Sequence, residues 1–192
     1  GVEEAQIHCT KVGTRNGANL NGNLNARSVR FVYDKAVDFY NNGKKLEAEM
    51  AFRQVLATTP QHRGAQVGLA NLEFERGHLK EAEKVYRTLL PRVETPVPIL
   101  LRIGDVELAT RRYRQASETF DDICRLARDH VEARYKRGVA LIALSRMRDA
   151  SAVLSEAAAM GGRDPASGFY ADKAQKALLR LGFMAGADAA MA

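Results

Sequence analysis

The chain of 192 residues predicts an all-α fold, a solenoid of four helix pairs closed by a C-terminal capping helix. Three observations predict it. One phrase recurs along the chain with a fixed period. Inside each copy the apolar positions recur every three to four residues, as on one face of a helix. A turn former then separates the two amphipathic stretches of each copy.

The phrase is "GKKLEAEMAFRQVL", followed by "GHLKEAEKVYRTLL", "RRYRQASETFDDIC" and "SRMRDASAVLSEAA". Its alanines are Ala48, Ala82, Ala116 and Ala150, equally spaced along the chain. A large residue stands four places later (Phe52, Tyr86, Phe120, Leu154) and a further column three beyond it (Val55, Leu89, Ile123, Ala157). Twelve places earlier comes a small one: Ala36, Ala70, Gly104, Gly138. Alanine fills 30 of 192 positions. Three further hits in one register then have odds of about 0.004, before the other columns are counted.

The elements follow in order. Residues 1–28 hold five asparagines and four glycines and fit no repeat, so they read as an Asn/Gly-rich arm with too few apolar groups for a core. Repeats occupy 29–62, 63–96, 97–130 and 131–162, each a helix A, a turn and a helix B. The A–B turn carries Gly43 and Gly77 where the backbone needs a positive φ. Arg111 and Ser145 fill that place in repeats three and four, at a cost on the order of 1 kcal/mol each. Pro60 closes the first repeat. Pro91 removes the donor that would bond the Arg87 carbonyl, so helix B of repeat two is expected to end near Leu90. Pro98 suits the first turn of the next helix A. With Pro96 between them, these prolines predict a break in the solenoid and a hinge. Pro165 opens a capping helix within 163–183, with Ala171, Ala174, Leu178 and Leu181 on the covered face and Lys173, Lys176 and Arg180 off it. Residues 184–192 read as a frayed Ala/Gly-rich tail.

A 34-residue period with these columns resembles the tetratricopeptide repeat (TPR) family. The resemblance covers residues 29–162 and implies a right-handed superhelix. The family's first aromatic column is missing throughout (Val32, Gln66, Leu100, Arg134), so the repeats are divergent. The resemblance also implies a bacterial-type, non-enzymatic scaffold whose A helices line a concave groove for a peptide or helix. The groove positions become Tyr33, Val37 and Tyr40, then Val67, Asn71 and Phe74. Repeat three gives Leu101, Asp105 and Leu108, and repeat four Tyr135, Val139 and Ile142. Most are apolar or aromatic, a poor surface to leave wet, though part of it serves helix packing. The subset that grips a C-terminal carboxylate uses Lys and Asn in the first helix A; Tyr33 and Val37 stand there, so that clamp is absent.

Composition sets the outer limits. Hydrophobic residues make up 46% and charged residues 27%, ordinary for a globular chain. No apolar run approaches about 18 residues, which excludes a membrane-spanning helix. The start is not basic-then-apolar, so no signal peptide is read there. Two cysteines, Cys9 and Cys124, make neither a disulfide framework nor a four-thiolate zinc site. Cys124 falls on the apolar side of a helix B and reads as a buried structural thiol. His8, His62, His78 and His130 are scattered, and read as solvated turn histidines. His8 and Cys9 are adjacent but lack further ligands, and "GTRNGANLNG" lacks the Gly-Lys-Ser/Thr ending of a phosphate loop. No catalytic residue, metal site or cofactor is expected, and the chain does not read as an enzyme.

The net charge is +6. Stacked A–B turns form one edge of a solenoid, and here they carry Lys44, Lys45, Arg76, Lys80, Arg111, Arg112, Arg114, Arg146 and Arg148, with no acid inside the turns. Without these nine cations the remainder would carry −3. Two functional readings follow. The first is a scaffold that binds protein or peptide partners, a second copy of itself included, through the groove. The alternative is a peripheral adaptor whose basic ridge docks on an anionic membrane surface or an acidic protein, such as a bacterial organelle or a secretion or pilus assembly scaffold. Nucleic acid fits less well, because Tyr113 alone would offer a stacking face. Both readings place the chain in the cytoplasm, the second peripheral to a membrane.

Overall fold

A computed structural model describes residues 26–161 and 164–190. Among these residues the secondary structure is helical, without strands. The helices are α1 (Ala26–Asn41), α2 (Lys45–Thr58), α3 (Arg63–Glu75), α4 (Leu79–Leu89), α5 (Val97–Ala109), α6 (Tyr113–Leu126), α7 (Val131–Ala143), α8 (Met147–Ala159) and α9 (Pro165–Ala190). The period read from the alanines governs the helix starts as well. Each second helix of a pair begins one full period after the last, at Lys45, Leu79, Tyr113 and Met147. First helices do the same from α3 onward, at Arg63, Val97, Val131 and Pro165.

The repeating columns are the core. Ala48, Ala82, Ala116 and Ala150 are wholly buried, as are Val55, Tyr86, Phe120, Ile123, Leu154 and Ala157. The earlier small column explains how pairs close. A Cβ on Gly104 would stand 2.6 Å from the Phe120 ring, and one on Gly138 2.6 Å from Leu154. The large column therefore needs its small partner, and neither glycine admits a side chain without moving a buried neighbour.

All four A–B turns use one device. The N–H of the turn residue donates to the carbonyl three back (Gly43 to Tyr40, Gly77 to Phe74, Arg111 to Leu108, Ser145 to Ile142). The next N–H reaches five back, as from Lys44 to Phe39 and from Arg112 to Glu107. This is a Schellman C-cap, which needs left-handed backbone at its pivot. The pivots have φ of +75° at Gly43, +86° at Gly77, and +59° at Arg111 and Ser145. The positive φ expected at two non-glycine residues is therefore present.

The prolines act as their chemistry requires, while other boundaries shift. Helix α4 ends at Leu89, and Leu90–Arg92 continue as a 3-10 turn, as the missing Pro91 donor requires. Pro98 lies in the first turn of α5. The chain divides into two compact units, one to Val85 and one from Tyr86, so the division falls inside α4, ahead of the prolines. The last turn of α4 belongs to the second unit, where Arg87 donates to Glu107 at 2.8 Å. The arm read as 1–28 is shortened, because α1 already begins at Ala26; its other residues, with His8 and Cys9, lie outside the described ones. Helix α9 runs to Ala190, past the expected end at 183, since the alanine-rich segment read as a tail has high helix propensity. Asp164 caps that helix, accepting from the Ser167 N–H at 2.9 Å.

In the first unit, α1, α2 and α3 enclose Ala36, Phe52, Val55 and Leu72. In the second, α5 to α8 pack successively and α9 covers α7 and α8. Ala171 and Ala174 are buried in that last contact, with Leu178 and Leu181 partly so, as expected of a cap.

Candidate functional site

The twelve expected groove positions share one property: each is half-buried, neither sealed in the core nor fully exposed. In the first unit they come from α1 (Tyr33, Val37, Tyr40) and α3 (Val67, Asn71, Phe74). Tyr33 is committed largely to packing. Its ring lies over Gly64, leaving no room for a Cβ there, and its centroid stands 4.6 Å from the tilted ring of His62 and 6.1 Å from that of Phe52. Burial, and then the neighbouring Asp34, push its phenol above the usual range. Tyr40 donates its hydroxyl to Glu75, while the Lys45 ammonium lies 4.0 Å over its ring and 2.6 Å from the same carboxylate.

The second unit supplies Leu101, Asp105 and Leu108 from α5 and Tyr135, Val139 and Ile142 from α7. Asp105 is no free acid. Lys136 reaches it at 2.5 Å and Glu132 at 2.6 Å, and Arg102 stands 3.6 Å from Asp105. Tyr170 of α9 donates to Glu132 at 2.8 Å. Burial would raise the Glu132 carboxyl, but the hydrogen bond and charge of Lys136, joined by the hydrogen bond from Tyr170, outweigh it and hold it low. Burial and the bond to Glu132 push the Tyr170 phenol well above its ordinary range.

Helix α9, which the sequence marks only as a cover, also repeats the register of the expected groove positions. Phe169 and Lys173 follow Tyr135 and Val139 by one full period, at the positions equivalent to theirs on a further first helix. Tyr135 stands 5.8 Å from Tyr170, and Lys173 lies 5.9 Å over the Tyr135 ring. The same period that locates the repeats contains this signal.

The basic turns are less bare than their sequence implies. No acid lies inside them, but the helices on either side bring acids in. Lys45 pairs with Glu75, Arg76 with Glu49 and Glu73, Arg114 with Glu118 at 3.7 Å, and Arg146 with Asp149 at 2.7 Å. Arg112 donates to the Thr110 hydroxyl at 2.8 Å, and Lys44 lies 6.0 Å over Phe39. Lys80, Arg111 and Arg148 have no carboxylate partner among the described residues. Lys44, Arg112 and Arg146 stand at the N-caps of α2, α6 and α8, none of which has a side-chain cap. Cations there oppose the positive end of the helix dipole.

His62 and His130 are not idle turn residues. Each is half-buried and caps a helix: Nδ1 accepts from the Ala65 N–H at 3.2 Å and from the Ala133 N–H at 3.3 Å. Cys124 is half-buried near Arg134 and Arg137, yet burial outweighs their charge and pushes its thiol up, away from nucleophilic use. Arg134 occupies the missing aromatic's place and pairs with Glu156 at 3.3 Å. No group of three His, Cys, Asp or Glu suited to a metal ion occurs among the described residues. No described helix is long and apolar enough to cross a membrane. A cavity of about 560 Å³ opens between the starts of α7 and α9, beside Asp129, Glu132 and Asp164. Each of these acids already has a partner.

A succession of helix pairs with Schellman turns and a small–large core column defines a helical repeat protein. The family model described as "Tetratricopeptide repeat" matches residues 33–95 and 101–167, and the chain belongs to that family. TPR proteins are generally non-catalytic and commonly mediate protein–protein interaction. Among curated proteins, 93 residues are 32% identical to a CTR9 homolog of Arabidopsis thaliana; they cover 48% of this chain but only 8% of that protein. Among solved structures, TTC0263, a thermophilic TPR protein of Thermus thermophilus, aligns with a TM-score of 0.63 and 21% identity, covering 82% of this chain and 83% of that one. PcrH of Pseudomonas aeruginosa gives 0.60 and 16%, covering 62% and 91%. MamA of Desulfovibrio magneticus RS-1 gives 0.62 and 13%, covering 83% and 96%. At these identities the likeness is one of fold.

Proposed function

We propose that this protein is a non-enzymatic scaffold that holds a segment of a partner protein on the faces of its first helices. The binding module comprises the repeats 29–62, 63–96, 97–130 and 131–162 with helix α9, and the residues ahead of α1 act as a leading arm. One observation carries the reading. After the helices have packed, Leu101, Leu108, Tyr135, Val139 and Ile142 of the second unit are still only half-buried, on the two helices that alternate with α6. Apolar positions two helical turns apart on α5 and one turn apart on α7 suit an amphipathic helix or extended segment, which would take them out of water. A second copy of the chain is one partner of this kind.

The test is Val139→Lys, with Val37→Lys as its counterpart in the first unit. Each places an ammonium on the face at a half-buried position. Partner capture from cells of the source organism should fall at least about tenfold with helix content retained. Undiminished capture by both variants contradicts the proposal.

A second reading has its own observation, and makes the chain a cytoplasmic protein peripheral to a membrane. Uncapped helix starts flanked by Arg111, Arg112, Arg146 and Arg148 suit an anionic surface, because free N–H groups and forked guanidiniums both favour phosphate. Each basic residue near an anionic membrane adds about 1 kcal/mol. Arg111→Glu with Arg148→Glu should then weaken binding to phosphatidylserine vesicles in a salt-dependent way. Equal binding by wild type and variant removes this reading.

A further inference from the structure

Resting on the reading of the first-helix face as a binding surface, we propose that Lys173 makes this face of the second unit selective for a partner segment bearing a carboxylate beside an apolar residue. The Lys173 ammonium is held by three rings, 4.4 Å from the centroid of Phe169, 5.8 Å from Tyr170 and 5.9 Å from Tyr135. Ring faces orient a cation without neutralising it. Three other cations are committed: Lys136 to Asp105 and Glu132, Arg102 to Asp105, and Lys176 to Asp172 at 2.6 Å. Lys173 has no carboxylate partner among the described residues, and the acid one position before it is turned to Lys176.

Place in the repeat points the same way. Lys173 stands one full period after Val139 and lies over Tyr135, so it belongs to the face and not to the packed side of α9. Beside it Phe169 is 54% exposed, an apolar surface next to the ammonium that lies over its ring. An oriented, unpaired ammonium next to an exposed ring matches an acid followed or preceded by an apolar residue. Aromatic walls lower the local dielectric and strengthen the charge-assisted bond such an acid would make. A basic segment would be repelled at the same point.

The experiment uses the full chain and a displayed library of random peptides. The proposal expects enrichment of peptides with Glu or Asp next to an apolar residue. The best binder and its Glu→Gln form are then measured by fluorescence anisotropy against wild type, Lys173→Arg, Lys173→Met and Lys173→Glu. Wild type should prefer the Glu form by about tenfold or more, the gain expected of a charge-assisted hydrogen bond. Lys173→Arg should keep that preference, Lys173→Met should erase it, and Lys173→Glu should turn enrichment toward Lys and Arg. Peptides enriched without an acid, or an acid preference that Lys173→Met leaves intact, would overturn the role of Lys173 while the face stands. A library from which nothing is enriched would overturn the face itself, and this proposal with it.

Discussion

Arg111 and Ser145 hold left-handed backbone at φ +59°, in turns whose counterparts use Gly43 and Gly77. The Schellman bonds around them keep the conformation, and the Cβ is what makes it costly. Arg111→Gly and Ser145→Gly should each therefore stabilise the second unit by about 1 kcal/mol, a rise of about 3 °C in Tm by calorimetry. No change or a loss would mean that the side chains contribute more than the backbone strain costs. His130 makes the opposite case. Its Nδ1 is the side-chain acceptor at the start of α7, so His130→Ala should cost about 1 kcal/mol and His130→Asn much less, as read by urea unfolding. Glu49 adds a pH dependence. Its hydrogen bond with Arg76, then the charges of Arg53 and Arg76, hold its carboxyl below the ordinary 4.5 against the effect of burial. The unfolded chain therefore takes up that proton at higher pH than the folded one, so the contribution is complete above 4.5 and is lost as pH falls below it. Melting curves at a series of acid pH values should show a steeper fall for wild type than for Glu49→Gln.

At the scale of the element, most of the architecture is legible in the sequence, because burial imposes periodicity. Each alanine of the column is wholly buried, and the helix starts share its spacing. The early end of α4 is legible for a different reason, since proline chemistry acts without tertiary context. What escapes is anything a long side chain does across elements. Glu107 is 2% exposed, with Arg87 at 2.8 Å and the Thr119 hydroxyl at 2.7 Å, and no spacing rule pairs residues on α4, α5 and α6. Arg87→Met strands that carboxylate, and should cost about 3 kcal/mol in chemical denaturation. Adding Glu107→Leu should restore most of it, since the apolar pair needs no compensation. A double variant no better than the single one would show that the network does more than satisfy its own charges.

At the scale of the molecule, charge and surface are legible only in part. Turn composition does not reveal the partners of its cations, because Glu49, Glu73 and Glu75 reach them from the flanking helices. The groove positions follow from the family register, whereas Lys173 and Phe169 fall on a helix that the sequence marks only as a cover. Two surfaces thus compete for the function, the first-helix faces and the turn edges, and within the second unit each contains a half-buried or exposed position open to a probe. Photo-cross-linking decides between them most directly: benzoylphenylalanine at Val139 on the face, and at Arg148 in the turn, in cells of the source organism. The account predicts a protein adduct from Val139 and none from Arg148. Adducts from Arg148 alone would contradict it and move the interaction to the basic edge.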